Sequence, residues 1–278
     1  VTTSATVLAD SINEYGDRLT TFELVMPRFV LPQFNKHASI RSCAQSSRAI
    51  PLAKLIGHAT FTPKVFRANQ RGMTPGEMLD AGCTEAATKT WQDAKAYAVE
   101  AASQLAYHGV HKQWVNRLLE PFSYVKVVAT ATEWNLFFRL RCAPDAQDEM
   151  QELANAMKEA MDASAPTPRG DGVWHLPYVT NGDALSVAPS RLLKISAARC
   201  ARTSYLSHTG ESDVWKDVAL AEQLIKDRHL TPLEMPARPA HHRDEWCGAY
   251  RGWVSLRHEL AFHSDRLRLT KTWREIDE

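Results

Sequence analysis

Apolar positions recur along this chain at helical spacing in most segments and crowd into β-branched runs in a few. TTFELVMPRFVLP, residues 20–32, is dense in β-branched and aromatic side chains and predicts a strand leading into a helix or turn near Pro32. The next stretch, PQFNKHASIRSCAQSSRAIP, packs His37, Arg41, Cys43, Gln45, Ser46, Ser47 and Arg48 into one polar run between apolar flanks. By residue type alone that run reads as a solvated loop, but the end of a strand is also a natural place for a site. Residues 50–82 carry Pro51, Gly57, Pro63, Gly72, Pro75, Gly76 and Gly82 and predict an irregular covering loop with short elements. From Thr84, read as an N-cap, Ala87, Trp91, Ala94, Ala98, Ala101, Ala102 and Leu105 repeat at helical spacing as far as Gly109, a C-terminal stop. HKQWVNRLLE predicts a second helix ending at Pro121, and YVKVVATATEW a strand. DAQDEMQELANAMKEAMDAS places Ala146, Met150, Leu153, Met157 and Met161 on one helical face, a stripe suited to filling a core.

SAPTPRGDG, residues 164–172, is the clearest linker-like break. Beyond it SRLLKISAARCARTSYL and DVWKDVALAEQLIKDRH read as amphipathic helices joined by the polar SHTGES, with TPLEM directly after. The last forty residues are mixed and rich in Trp, His and Arg. The expected class is α+β: one helix-rich domain around a central mixed or antiparallel sheet, with residues 1–163 as its core, 164–187 as a linker-like connection and 188–278 completing the same domain.

Composition narrows the function classes. The chain has 278 residues, 44% of them hydrophobic, enough for one full core. Thirty-three basic against 32 acidic side chains leave a net charge of +1, so no global field marks a duplex-binding or membrane-surface protein, and direct nucleic-acid binding is not expected. Any anion is bound locally. No apolar run reaches membrane-spanning length and the N-terminus lacks the basic-then-apolar order of a signal peptide, so a cytoplasmic location is expected. Cys43, Cys83, Cys142, Cys200 and Cys247 are odd in number and scattered without a C-x-x-C pair, which argues against a disulfide framework and against a bound metal.

Three arginines stand out because apolar neighbours would hold their guanidinium groups in place: Arg48 closing the polar run, Arg117 in NRLLEP and Arg141 in FFRLRCAPDAQ. Planar five-donor forks suit phosphate and carboxylate. Singly, each reads as a surface ion-pair partner; jointly they form a pattern. Gln33, His37, Ser46 and Arg48 resemble the Q-x-x-R-H-R-x-x-S-x-N-E-x-S-x-R-Y signature of the flavin-dependent thymidylate synthase family. NRLLEP resembles that family's A-R-x-x-L-P loosely, and FFRLRCAPDAQDEM its F-L-N-L-R-x-x-x-x-A-Q-x-E-I segment well. CARTSY looks like A-A-R-V-S, and LIKDRHLTPLEM like L-x-x-x-x-H-x-T-P-F-E-H, but these two blocks precede the signature in the family and follow it here. The chain therefore resembles a circularly permuted, divergent, viral-type member, over residues 20–155 and 196–236. Departures include Lys36-His37-Ala38 for R-H-R, Arg41, Cys43 and Ala44 for Ser, Asn and Glu, Ala49 for the closing Tyr, and Met235 for the final His. A further echo, GWVSLRHE, places Arg257 and His258 after a possible strand, without the S-x-R that would complete it.

The resemblance implies FAD between the subunits of a homotetramer, NADPH as reductant, and methylenetetrahydrofolate delivering one carbon to C5 of a pyrimidine deoxynucleotide. On that basis Ser46, Ser47, Arg48 and Arg117 hold phosphate and sugar, and Gln33 and Arg141 address the base. His37, Arg41, Asn135, Gln147, Arg202, Ser204 and Thr231 contact FAD. Gln33 and Arg141 take catalytic roles through the base, and Cys43, inside the signature, is a candidate nucleophile for C6, although the family needs none and a free Cys is usually a small buried hydrophobe. The altered signature residues tilt the expectation toward dCMP and a 5-hydroxymethyl product. dUMP methylation to dTMP is the alternative, and a non-catalytic nucleotide-binding protein is the reading from another class.

Overall fold

The computed structural model describes residues 2–57, 61–204, 213–243 and 249–261, with the side chains of 204 and 261 aside. Ten helices and seven strands are named here. The strands are β1 (Ser4–Ile12), β2 (Arg18–Pro27), β3 (Arg41–Ala44), β4 (Tyr124–Ala131), β5 (Thr167–Pro168), β6 (Ala237–Pro239) and β7 (Trp253–Ser255). The helices are α1 (Leu31–Phe34), α2 (Leu52–Gly57), α3 (Ala81–Tyr107), α4 (Lys112–Val115), α5 (Asn135–Arg141), α6 (Asp148–Asp162), α7 (Asn181–Ser186), α8 (Pro189–Ala201), α9 (Val214–Lys226) and α10 (Leu256–Ala261). The main sheet runs β3-β4-β2-β1-β5; its pairings are antiparallel except β1 with β5, which is parallel, and β6 and β7 form a separate ribbon. This is the expected mixed-sheet α+β class.

Alternation along β2 and β4 divides the sheet into two covered faces. Phe22, Leu24 and Met26 of β2, with Val125, Val127 and Ala129 of β4, point into a core closed by Trp134, Phe137 and Phe138 around α5 and by Met150, Leu153 and Met157 of α6. The methionine stripe is thus core, as its spacing predicts; Ala146 lies in the turn before the helix. The opposite positions face residues 173–240. Thr21 bonds His175 Nε2 at 2.7 Å and Thr130 at 2.6 Å, His175 Nδ1 bonds Ser11 at 2.9 Å, and Val128 packs with Cys200 and Met235. Buried polar positions are tolerated there because each finds a partner.

That second layer is fixed by a buried ion cluster. Arg199 on α8 donates to Asp183 through Nη1 (2.6 Å) and Nη2 (2.9 Å), to Asp217 of α9 through Nε (3.0 Å) and to the Tyr178 carbonyl (2.7 Å). Arg199 holds the Asp183 carboxyl well below the usual range. Removing one partner of such a pair strands a buried charge.

Several local expectations shift. The strand expected within residues 20–32 is β2, which ends at Pro27; a 3-10 turn, Arg28–Val30, then leads into α1, the helix expected near Pro32. The long helix begins at Ala81 with Asp80, not Thr84, as N-cap, the Asp80 carboxylate accepting from the Cys83 amide at 2.8 Å. It stops at Tyr107, and Gly109 takes φ 78°, the left-handed conformation a helix stop uses. HKQWVNRLLE is one α-turn followed by a 3-10 segment, Asn116–Phe122, that contains Pro121. β5 lies within the stretch that reads as a linker.

Candidate active site

The polar run at the end of β2 is not a loop for its whole length: residues 41–44 form the edge strand β3, paired to β4 with Cys43 opposite Val128. The structure distributes the sequence-predicted residues over three neighbourhoods around this strand.

The first joins α1 to the end of α5 and the start of α6. Gln33 Nε2 donates to Gln147 Oε1, Gln147 Nε2 donates to Glu149 at 2.9 Å, and Arg141 Nε donates to His37 Nε2 at 3.0 Å. His37 also stands edge-on to Phe137, ring centres 4.9 Å apart. Burial, then the Arg141 charge, lowers the His37 titration, so at neutral pH the ring is an uncharged acceptor for Arg141. Four predicted residues, Gln33, His37, Arg141 and Gln147, converge here; Asn135, at the exposed start of α5, makes no hydrogen bond among the described residues. The His37 imidazole is expected to titrate below the ordinary 6.5, and Arg141→Gln should raise its midpoint by removing the neighbouring cation. NMR titration of the ring protons checks both; an unmoved midpoint in the variant would dissociate the pair.

The second neighbourhood carries Ser46, Ser47, Arg48 and Arg117. Ser47–Ala49 is a single 3-10 turn, and Arg48 on it is exposed. Asn116, fully buried, donates through Nδ2 to the Ser47 carbonyl at 2.7 Å and the Ile50 carbonyl at 2.9 Å. One side chain thereby clamps the turn that carries Arg48 onto the segment that begins Asn116-Arg117. No motif selects Asn116; its signal in the sequence is NRLLEP, where Asn stands in place of the Ala of A-R-x-x-L-P. Arg117 Nη1 rests on both carboxylate oxygens of Glu120, at 3.0 and 3.1 Å.

The third lies where β3 meets the C-terminal blocks. A cavity of about 580 Å³ is lined by Cys43, Ala201, Leu220, Leu224, Arg228, His229, Leu230, Thr231, Pro232 and Arg257. Ala201 of CARTS and His229, Leu230, Thr231 and Pro232 of HLTP therefore line one cavity with Cys43 of the signature strand. Thr231 lines the cavity. Arg202 is drawn aside, its Nη2 2.9 Å from Asp217, and the Ser204 side chain lies outside the described residues. Arg41 pairs with Thr130 across the sheet, and its Nε is buried without a hydrogen-bond partner among the described residues. Burial pushes the Cys43 thiol up to about 11, so the sulfur is protonated at neutral pH, the opposite of an activated nucleophile. His229, the histidine of the LIKDRHLTPLEM block, and Arg257 of the GWVSLRHE echo, bonded to Glu234 at 2.6 Å, also line the cavity, and Arg228 is the lining cation that no motif selects. Among the described residues, no group of three or more His, Cys, Asp or Glu is placed to hold a metal ion.

The family model described as thymidylate synthase complementing protein matches residues 19–167, more than half the chain, and the chain belongs to this flavin-dependent thymidylate synthase-like family. The C-terminal blocks lie outside the matched span. No curated protein matches. Among solved structures, a UMP/dUMP methylase PolB from Streptomyces cacaoi bound with 5-Br UMP is similar at 15% identity and TM-score 0.47, over 57% of this chain and 88% of that one. The same methylase with 5-Br dUMP aligns at 18% identity, TM-score 0.42, over 52% and 66% of the two chains. Thymidylate synthase X from Helicobacter pylori with FAD and dUMP aligns at 19% identity, TM-score 0.36, over 51% and 67%.

Proposed function

We propose that the protein transfers one carbon to C5 of a pyrimidine nucleoside monophosphate with FAD as cofactor. The observation that carries this reading is the convergence of Gln33, His37, Arg141 and Gln147, four motif residues from two separated segments, within a chain of this family. Arg48 and Arg117 bind the phosphate, with Ser46 and Ser47 beside the sugar. Gln33 offers a donor and an acceptor to a base edge, and Arg141 polarises the ring so that C5, a weak nucleophile, can attack an activated one-carbon unit. Methylenetetrahydrofolate supplies that unit.

The residues present fit FAD. The C-terminal cavity pairs apolar walls, Leu220, Leu224, Leu230 and Pro232, suited to a flavin ring, with Arg228 and Arg257, suited to a pyrophosphate; on the strand beside it, the buried Arg41 Nε has no partner among the described residues. His37 and Thr231 are further contacts. FAD supplies two-electron redox chemistry. The described fold also favours shared sites: α3 has 27 residues, yet only Ala102 of them is buried, and Leu136 and Leu140 of α5 are 63% and 51% exposed beside Arg141. Ala98, Val99, Ala102 and Leu105 pack on the cluster of Ile50, Leu55, Val115 and Leu119, but most of this long helix is open, and a neighbouring subunit of a homotetramer would cover it.

Arg41, Cys43 and Ala44 favour the finer reading, dCMP as substrate. Cytosine exposes an N3 acceptor and an N4 donor where uracil exposes N3–H and O4, and an edge strand rebuilt at three positions is suited to a different edge. The carbon then leaves as hydroxymethyl: the C5–CH2 unit takes hydroxide from water and releases a proton, with no net change in electrons. Methyl formation requires two electrons and a proton more, which NADPH supplies. Titrating FAD against purified protein while measuring solution mass tests the shared-site reading. Flavin binding in a tetramer is expected; a monomer without flavin affinity would leave a nucleotide-binding protein at most.

A further inference from the structure

Arg28 gives the proposed phosphate site more cation than its motifs account for. It opens the 3-10 turn after β2, is only 8% exposed, and makes one side-chain hydrogen bond, from Nη1 to the Gln45 carbonyl at 3.2 Å. Its Nε and Nη2 are buried and have no hydrogen-bond partner among the described residues. Those two nitrogens form one side of the guanidinium fork, the side that matches two oxygens of a phosphate. Leaving them idle in the interior is costly. The acceptor that stands nearest in charge is Glu120, whose Oε1 is 4.0 Å from Arg28 Nη1, too far for a hydrogen bond, and 3.0 Å from Arg117 Nη1. One carboxylate thus lies between two guanidinium groups, and it occupies the place where the family's A-R-x-x-L-P segment has Leu. Glu120 and Arg117 are on the open side, with side chains 24% and 58% exposed. Gln45, which holds Arg28, immediately precedes Ser46.

We propose that Arg28 is a third guanidinium of the phosphate site and that Glu120 is an internal stand-in for the phosphate, bridging Arg28 and Arg117 until a phosphate dianion displaces it. The proposal rests on the nucleotide reading above. In the absence of an anion the carboxylate offsets two like charges; when phosphate arrives, Glu120 swings to solvent from beside Arg28 Nη1, the guanidinium turns into the space it leaves, and the idle Nε–Nη2 edge gains two oxygens. Glu120 therefore sets a threshold: only a ligand with more negative charge than a single carboxylate takes the site.

The test uses Glu120→Gln, Arg28→Gln and the double variant, with dUMP, deoxyuridine and inorganic phosphate as probes in calorimetry and thermal melts. Glu120→Gln should bind dUMP roughly tenfold tighter, the scale of one charged hydrogen bond, with deoxyuridine unaffected. Inorganic phosphate should raise its melting temperature more than that of the wild type, and the added Arg28→Gln change should cancel both gains. Unchanged dUMP and phosphate responses in Glu120→Gln, or gains that survive in the double variant, would overturn the proposal. Stabilisation of Glu120→Gln by inorganic phosphate through Arg28, with no dUMP binding by any form, would keep the anion site and sink the nucleotide reading. Should Arg28→Gln not fold, Arg28→Lys, which keeps the charge but lacks the fork, is expected to lose the phosphate gain.

Discussion

Arg48→Ala and Arg117→Ala are each expected to weaken binding of a pyrimidine nucleoside monophosphate by roughly ten- to a hundredfold, the range for a charged hydrogen bond to phosphate. Neither side chain supports the core: Arg48 is exposed on its 3-10 turn, and the Arg117 side chain is 58% exposed. The fold should therefore survive, and far-UV circular dichroism should be unchanged. Asn116→Ala should weaken binding less directly, by releasing the Ser47 and Ile50 carbonyls and loosening the turn that carries Arg48. Calorimetric titration with dUMP and dCMP checks these effects; full affinity in both arginine variants would remove the turn from the site.

Acid should destabilise the protein through His175. This ring is fully buried between β1, β2 and the C-terminal layer, and desolvation lowers its titration from the ordinary 6.5 to about 3. Between those values the unfolded chain takes up a proton that the native ring refuses. Stability is thus intact above the unfolded value and declines as pH falls toward the folded one, by about 2 kcal/mol at pH 5 relative to neutral pH. Protonation would also convert an acceptor nitrogen facing Thr21 or Ser11 into a donor. Denaturant unfolding from pH 7.5 to pH 5 measures the loss. In His175→Gln the slope over this range should flatten, although the variant starts less stable; an equally steep decline would assign acid sensitivity to other groups.

The strands whose pattern is carried by large apolar residues were legible in sequence. Phe22, Leu24 and Met26 announce β2, Val125, Val127 and Val128 announce β4, and Met150, Leu153 and Met157 announce α6. β1 was not read as a strand, since its SATVLADSI mixes small and polar residues whose partners, Arg18 and Thr20 for Asp10 and His175 for Ser11, are distant or lie on another strand. β5 escaped for a related reason: two residues in a Pro- and Gly-rich stretch gain strand geometry only because β1 offers a free edge. The motifs of the candidate site were legible, and the structure joins Gln33 to Gln147 and Arg141 to His37. What spacing could not reveal was that Arg28 and Asn116 take part, because the one is an arginine inside an apolar run and the other a lone amide. Their roles come from contacts across the chain, with Gln45 and with Ser47 and Ile50.

Product mass gives the most direct test of the central claim. The purified protein, supplied with FAD, methylenetetrahydrofolate and limiting NADPH, is offered dUMP and dCMP side by side. A pyrimidine monophosphate carrying one additional carbon at C5 is predicted, with hydroxymethyl-dCMP formed independently of NADPH as the finer expectation. Methylated dUMP formed in proportion to NADPH, with dCMP untouched, would keep C5 transfer and overturn the choice of base and product. Both nucleotides recovered unaltered, from protein shown to hold flavin and nucleotide, would contradict the account.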